Sequence, residues 1–280
     1  MSVKARAQAL LKRIGLYDRL KTSRLYDVYW MMADRRTIDQ RRAELQFYRA
    51  YLQAFRPGDL FFDIGANQGY KTDIFLRMGA RIVAVEPDRY SQEALKRRFL
   101  RYRFVKKPVV IVGMAASDRD GFDSLWLDAP GSAKNTLNSK WVGLLRGDER
   151  RFGKRLAFAN RQEIETVRVE TLIARHGVPF FIKIDVEGHE PSVLRGLRHA
   201  VPYLSFEVNL PEFRSEGQQC IELLTDLAAK GKFNYAVDCQ SGFALQKWVD
   251  RREFLPIFDD CIEKSIEVFW TRDGRSCHLQ

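Results

Sequence analysis

Apolar positions along the chain repeat with a helical period near the start and in short strand-like runs afterwards. Over residues 4–20, Ala7, Leu10, Leu11 and Ile14 share one side and predict a helix. Over residues 40–55, Leu45, Tyr48, Tyr51, Leu52 and Phe55 fall three or four apart, a stripe expected to pack against the body. Arg56-Pro57-Gly58-Asp59 is a strong turn signal that stops this helix. Strands and helices then alternate. Strands are predicted over 60–64, 81–85, 109–114, 180–184 and 203–208, with 233–237 and 266–270 completing the sheet. Helices are predicted over 70–78, closed by Gly79, over 91–100, through Val193 and Leu197, and over 221–227. Short apolar strands separated by helices argue for an α/β domain, a parallel sheet covered on both faces.

One stretch breaks this rhythm, from Asp118 to Glu165. Asp118-Arg119-Asp120-Gly121 reads as a tight turn and Ser124–Leu127 as an edge strand. Pro130, Gly131, Asn135, Asn138, Gly143 and Gly147 follow, with Trp141 and Phe152 among many arginines. A long irregular insertion of this kind is expected to act as a substrate lid. The chain therefore divides into a basic helical arm over 1–56 and a body over 57–280 that carries the insertion at about 118–165.

Composition narrows the class. With 280 residues, 45% hydrophobic and 30% charged, the chain is globular rather than disordered. The apolar runs, such as Val109–Val112, fall far short of the ~18 residues that cross a bilayer. The start, Met1–Leu20, carries Lys4, Arg6, Lys12 and Arg13 without a long apolar core and is no secretory signal. Cys220, Cys239, Cys261 and Cys277 form no CxxC pair and are expected to be free thiols in a reducing cytoplasm. The net charge of +11 is concentrated in the arm: Met1–Arg56 holds 13 Lys/Arg against 5 Asp/Glu, and the body is close to neutral. Such an arm suits a solvated helix surface better than a nucleic-acid reader, and contact with an anionic membrane face through its first helix stays open.

The sharpest chemical feature is Asp63-Ile64-Gly65-Ala66-Asn67-Gln68-Gly69, a strand end followed by a glycine turn that opens a helix. Ligands of open α/β sheets sit beyond the carboxyl ends of the strands. Gly65 and Gly69 let backbone approach a ligand, but G-x-G-x-x-G is missing. Asp63 would repel a pyrophosphate and suits an amino-acid ammonium, which favours S-adenosylmethionine over a dinucleotide. Glu86, at the end of the next strand and 23 positions after Asp63, is placed to accept hydrogen bonds from ribose hydroxyls. Glu86→Ala is then expected to weaken donor binding with little effect on the fold. Further along, Lys183-Ile184-Asp185-Val186-Glu187-Gly188-His189-Glu190 brings titratable groups to the same edge of the sheet, and Glu207 joins them from the fifth strand.

These segments, with Glu86-Pro87, Ala115-Ala116-Ser117-Asp118 and Leu194-x-Gly196, resemble the FkbM-type S-adenosylmethionine-dependent methyltransferases over about Pro57–Asn209. Thr171-Leu172-Ile173 departs from the T-L-D often found in the family, and the arm and the arginine-rich insertion match no family motif. The resemblance implies a Rossmann-like class I methyltransferase fold, with a mostly parallel sheet, helices on both faces, an antiparallel last strand and N-terminal helices added. It implies a donor site at Asp63, Gly65, Asn67, Gly69, Glu86, Pro87 and Ala115. It also implies methyl transfer to a hydroxyl of a sugar, glycan or secondary metabolite.

An alcohol is a poor nucleophile, so a general base adds rate, and His189 is the first candidate because histidine titrates near neutrality. Asp185 is expected beside the methyl group or the acceptor. Glu187 is the alternative base, and Glu187, Glu207 and Asn209 are placed to hold acceptor hydroxyls. A metal held by Asp185, Glu187, His189 and Glu207 is the less favoured route, because their spacing is diagnostic of no metal. Two other readings stay open. A nicotinamide-dependent oxidoreductase shares the fold but conflicts with the missing glycine and with Asp63. A nucleic-acid methyltransferase would use the basic arm, yet no Pro-Pro follows the fourth strand, and Asn209-Leu210-Pro211-Glu212-Phe213 is only a loose echo of N-P-P-Y.

Overall fold

Ten strands and eight helices appear among the described residues of the computed structural model, which are 35–100, 108–146 and 156–273. The strands are β1 (Leu60–Ile64), β2 (Arg81–Val85), β3 (Val109–Val112), β4 (Ala115–Ser117), β5 (Gly121–Leu127), β6 (Asn160–Arg168), β7 (Phe181–Ile184), β8 (Tyr203–Asn209), β9 (Lys232–Ala236) and β10 (Ser265–Thr271). The helices are α1 (Arg35–Tyr51), α2 (Tyr70–Met78), α3 (Arg89–Arg98), α4 (Ser139–Leu145), α5 (Val169–His176), α6 (Glu190–Arg195), α7 (Arg214–Leu227) and α8 (Arg251–Asp259). The helix expected over residues 4–20 lies outside the described residues.

Seven strands form the central sheet in the order β3-β2-β1-β7-β8-β10-β9. All neighbours run parallel except β10, which is antiparallel to β8 and β9. The chain starts in the middle of the sheet, winds outward to β3, and returns to the other side of β1 at β7. The strand order therefore reverses between β1 and β7, where a crevice opens beyond the strand ends. Register decides what lines it. Ile64 pairs with both Val85 and Ile184, and Ile184 with Phe206. The next residue of each strand or loop, namely Gly65, Glu86, Asp185 and Glu207, thus falls on one row.

Alternation along β1 sends neighbouring residues to opposite faces. Phe61 joins a layer rich in aromatic residues, with Tyr48, Tyr51, Phe75, Phe181 and Phe269, beneath α1 and α2. Phe62 and Ile64 join the layer on the other face, with Ile182, Val193, Leu204, Phe206 and Ile221. The expected stripe on α1 is the face that packs: Tyr48, Tyr51 and Leu52 are buried, with Leu45 and Phe55 against the same layer. Tyr48 Oη donates to Glu267 Oε1 at 3.1 Å, and Tyr51 Oη donates to the Trp270 carbonyl at 2.7 Å. These bonds satisfy hydroxyls that burial would otherwise leave costly.

Three expectations need correction. The strand expected over 109–114 ends at Val112, and the following Ala115–Ser117 forms a separate, unexpected strand, β4, which pairs with β6 in a second sheet of order β4-β6-β5. The expected edge strand at Ser124–Leu127 is the end of β5, at the edge of this second sheet, but the rest of the stretch expected to be irregular also holds α4 and most of β6, which pairs antiparallel with β5 over seven residues. A helix absent from the expectation, α8, contains Pro256, which reads as a helix breaker. It forms because Asp250 accepts from the N–H groups of Arg252 and Glu253, and because Phe254 and Phe258 bury on one side. No helix among the described residues is long and apolar enough to cross a membrane.

Candidate active site

The turn after β1 exists because of two glycines. Gly65 has φ +82°, and a Cβ there would lie 1.8 Å from the Asp185 carbonyl oxygen, so backbone crosses backbone with no room for a side chain. Its N–H and that of Ala66 donate to the Val85 carbonyl at 3.0 and 3.1 Å, tying the turn to the end of β2. Gly69 precedes α2 with φ +79°, against the side chains of Leu95 and Phe99.

Glu86 lies 6% exposed between the loops after β1 and β2. Its Oε2 accepts the Asn67 N–H at 2.7 Å and its Oε1 accepts the Asp88 N–H at 2.9 Å. Each oxygen retains a lone pair that a ligand hydroxyl can use. Glu86 is therefore also a structural tie, so its removal is expected to cost more stability than the little that the sequence reading allowed.

The end of β7 carries a densely charged group. Lys183, 2% exposed in the middle of the sheet, donates to Asp185 Oδ2 at 2.8 Å. Burial pushes the Asp185 carboxyl up, but the Lys183 ammonium, a hydrogen bond from Glu207 and the charge of Lys134 together hold it below the ordinary value. Glu207 is the counterpart: the Asp185 charge, then burial, push it up to about 8, and its Oε1 accepts from Ser265 Oγ at 2.8 Å. Glu187 accepts from Lys134 Nζ at 2.7 Å and from Asn209 Nδ2 at 3.4 Å, and burial pushes it up to about 7. Glu190 opens α6, where its Oε1 accepts the N–H groups of Val186 and Gly188 at 3.0 and 3.2 Å. His189 Nε2 lies 3.1 Å from Ser117 Oγ at the end of β4. Burial lowers the His189 value, partly offset by Asp123 and Asp118.

These environments fix a pH dependence of stability. Burial raises Glu86 and Glu187 to about 7 and Glu190 to about 8, and Glu207 is raised to about 8, each from an ordinary 4.5. Each then binds its proton in the folded chain over a window where the unfolded chain has released it. The resulting stabilisation is complete below pH 4.5 and is lost as pH rises through 7–8. His189 and the partly exposed His176 act the opposite way near their ordinary 6.5, two groups against four. The melting temperature is expected to fall between pH 6 and pH 9 in thermal scans; a rise would show that the four carboxyls are ionised.

The crevice encloses about 220 Å³. Of the expected donor-site residues, Gly65, Asn67, Glu86, Pro87 and Ala115 line it, and so do Asp185, Glu187, His189 and Glu207. Asp63, Gly69 and Asn209 do not. Asp63 is 1% exposed and accepts from Thr72 Oγ1 of α2 under the floor of the crevice, so the expected contact with a ligand ammonium is not built there. Asn209 reaches the crevice only through Glu187. The insertion supplies a wall: Ser132, Lys134, Thr136 and Leu137 line the same space, with Leu125 of β5 behind them. Lys134 escaped the sequence reading, since a lysine in a polar loop carries no signal, and Ser117 entered it only as part of the Ala115-Ala116-Ser117-Asp118 motif, without a role. Lys183 did carry one, a lone cation within Phe180-Phe181-Ile182-Lys183-Ile184. Among the described residues no three His, Cys, Asp or Glu side chains are arranged to hold a metal ion.

The strand order with its antiparallel β10, and a crevice at the switch point ringed by a glycine turn and Glu86, define a Rossmann-like methyltransferase fold. The model of the methyltransferase FkbM domain matches residues 63–232, well over half of the chain. The chain belongs to this family of S-adenosylmethionine-dependent methyltransferases. A comparison with curated proteins gives no match. Among solved structures it is similar to a TehB-like SAM-dependent methyltransferase from Corynebacterium glutamicum, at 9% identity and TM-score 0.42, covering 82% of this chain and 87% of that one. It is also similar to an O-methyltransferase from Bacillus cereus in complex with SAH, at 12% identity and TM-score 0.38, covering 82% and 80%. The plantazolicin methyltransferase BpumL is similar at 11% identity and TM-score 0.40, over 95% of each chain.

Proposed function

We propose that the chain transfers a methyl group from S-adenosylmethionine to a hydroxyl of a sugar, glycan or secondary metabolite, with no metal in the step. The carrying observation is a histidine, His189, lining the same crevice as the glycine turn and Glu86. The crevice chemistry fits the donor. Glu86 offers lone pairs to ribose hydroxyls, and Pro87, Ala115 and Leu125 offer apolar surface to a purine. The bound donor supplies a methyl group already activated on a sulfonium, so the chain must align the acceptor and remove its proton. His189 takes that proton. Asp185, held ionised by Lys183, positions the acceptor hydroxyl, and Glu207 stands beside it as a protonated partner able to donate. Glu187 is engaged by Lys134 and is the weaker candidate base. A nucleic-acid acceptor is disfavoured, because the charge excess belongs to the arm and the crevice wall is rich in carboxylates. Membrane contact through the first helix concerns residues outside those described.

Calorimetry with S-adenosylhomocysteine and NADH tests the donor, and labelled donor incubated with a metabolite and glycan extract, or with RNA, tests the acceptor. S-adenosylhomocysteine is expected to bind and NADH to be inert. Glu86→Ala is expected to lose about 1.5–3 kcal/mol of donor affinity. It should also melt at a lower temperature, because the Asn67 and Asp88 N–H groups lose their acceptor. Label entering RNA alone, or binding of NADH in place of S-adenosylhomocysteine, overturns the proposal.

A further inference from the structure

Four carboxyl side chains line the crevice, Glu86, Asp185, Glu187 and Glu207, and its one charged cation among the described lining residues is Lys134. Lys134 comes from the connection between β5 and α4, and that connection is fastened on both sides of it. The Gly131 N–H and Asn135 Nδ2 donate to Asp88 Oδ2 at 2.6 and 2.9 Å. Thr136 Oγ1 donates to the Glu187 carbonyl at 2.9 Å, and Asn138 Nδ2 donates to the Gly188 carbonyl. Glu187 itself has φ +53°, a left-handed conformation that a residue with a Cβ adopts at a cost. The Glu187 carboxylate and the Lys134 ammonium thus meet at the crevice wall in positions that backbone anchors impose on both. The Lys134 side chain is 24% exposed and that of Glu187 8%, and both residues line the crevice.

A cation and an anion held side by side complement a ligand carrying the opposite pair, and the α-amino-acid end of the methyl donor is such a group. Asp63, the acid placed by sequence for the ammonium, is turned away beneath the floor and bonded to Thr72. We propose that Lys134 and Glu187 form the subsite for the donor's amino-acid end, Lys134 taking the carboxylate and Glu187 the ammonium. The assignment rests on the donor reading above, and it removes Glu187 from the acceptor side of the reaction. Charge-assisted hydrogen bonds of this kind carry both affinity and selectivity.

The test is calorimetry on the full chain with three ligands: S-adenosylhomocysteine, its decarboxylated analogue, and 5′-methylthioadenosine, which lacks the whole amino-acid group. The native protein is expected to bind S-adenosylhomocysteine about 10- to 100-fold more tightly than the decarboxylated analogue. Lys134→Met should abolish that preference and leave 5′-methylthioadenosine within about twofold. Glu187→Gln should close the gap between the decarboxylated analogue and 5′-methylthioadenosine, and Lys134→Arg should keep most of the preference for the carboxylate. An intact carboxylate preference in Lys134→Met overturns the assignment. So does an equal loss for all three ligands, which would mean that the lysine only holds the wall in place, or a change in acceptor KM with donor affinities untouched. Native protein that binds none of the three overturns the donor reading and the subsite with it.

Discussion

Replacing His189 by alanine is expected to lower turnover by roughly 10²–10⁴-fold while donor affinity stays within about twofold. The ring lines the crevice but takes no part in the contacts that shape the glycine turn or hold Glu86, so its loss should fall on the chemical step. Burial depresses its value, and the acid limb of the native kcat/KM profile should therefore lie below the ordinary histidine value of about 6.5. His189→Ala should lose that limb. An acceptor with a more acidic hydroxyl should recover part of the rate as pH rises, because it ionises without help. The Ser117 hydroxyl 3.1 Å from Nε2 gives a second handle. Ser117→Ala should disturb the ring's orientation and lower kcat less than loss of the ring itself. Full activity in His189→Ala would remove histidine from the mechanism and pass the base to Asp185. A chelator is expected to leave turnover unchanged, and loss restored by Mg²⁺ would revive the metal route.

The site was legible in sequence where chemistry and strand ends coincide. β1, α2 and β2 run over the residues expected, because short apolar-rich segments bounded by Pro-Gly, Gly and Glu-Pro leave little freedom in where they stop. Glu86 and Asp185 were found because a carboxylate ending a strand buried on both faces must open into the crevice or be paired. The same reasoning failed for Asp63. In a strand covered on both faces, the side that a polar residue takes depends on what the covering helix offers, and Thr72 of α2 offers a hydroxyl. β6 was missed for another reason: its buried positions are Ile164, Thr166 and Val167, while Glu163 and Glu165 face solvent, so its strand period is carried by few apolar residues. Lys134 belongs to a segment whose position is set by Asp88, 46 residues earlier in sequence, and local pattern cannot show such a contact.

Lys183→Met is expected to be the most damaging substitution to the fold that keeps side-chain length. The ammonium sits within the central sheet, its Cα paired with Asp63 of β1 on one side and with Ser205 of β8 on the other. Ser205 Oγ in turn donates to Glu267 Oε1 at 2.7 Å, and the charges of Asp185, Glu267, Asp63 and Glu207 all favour the protonated lysine over the cost of its burial. Methionine fills the volume but removes the cation bonded to Asp185, leaving Glu267 to Lys71 and Asp185 to the weaker influence of Lys134. Breaking a buried pair in this way costs about 3–5 kcal/mol. The sign of the pH effect distinguishes lost charge from lost packing. In the native chain Asp185 and Glu267 are held below their ordinary values, which contributes stability above the carboxylate range. Without the ammonium both rise, so the variant regains stability as pH falls and its carboxyls protonate. Urea unfolding should therefore show a large gap between native protein and variant at pH 8 that narrows at pH 5. A gap that is the same at both pH values would mean that the lysine contributes packing alone, and that the ionised state of Asp185 has another source.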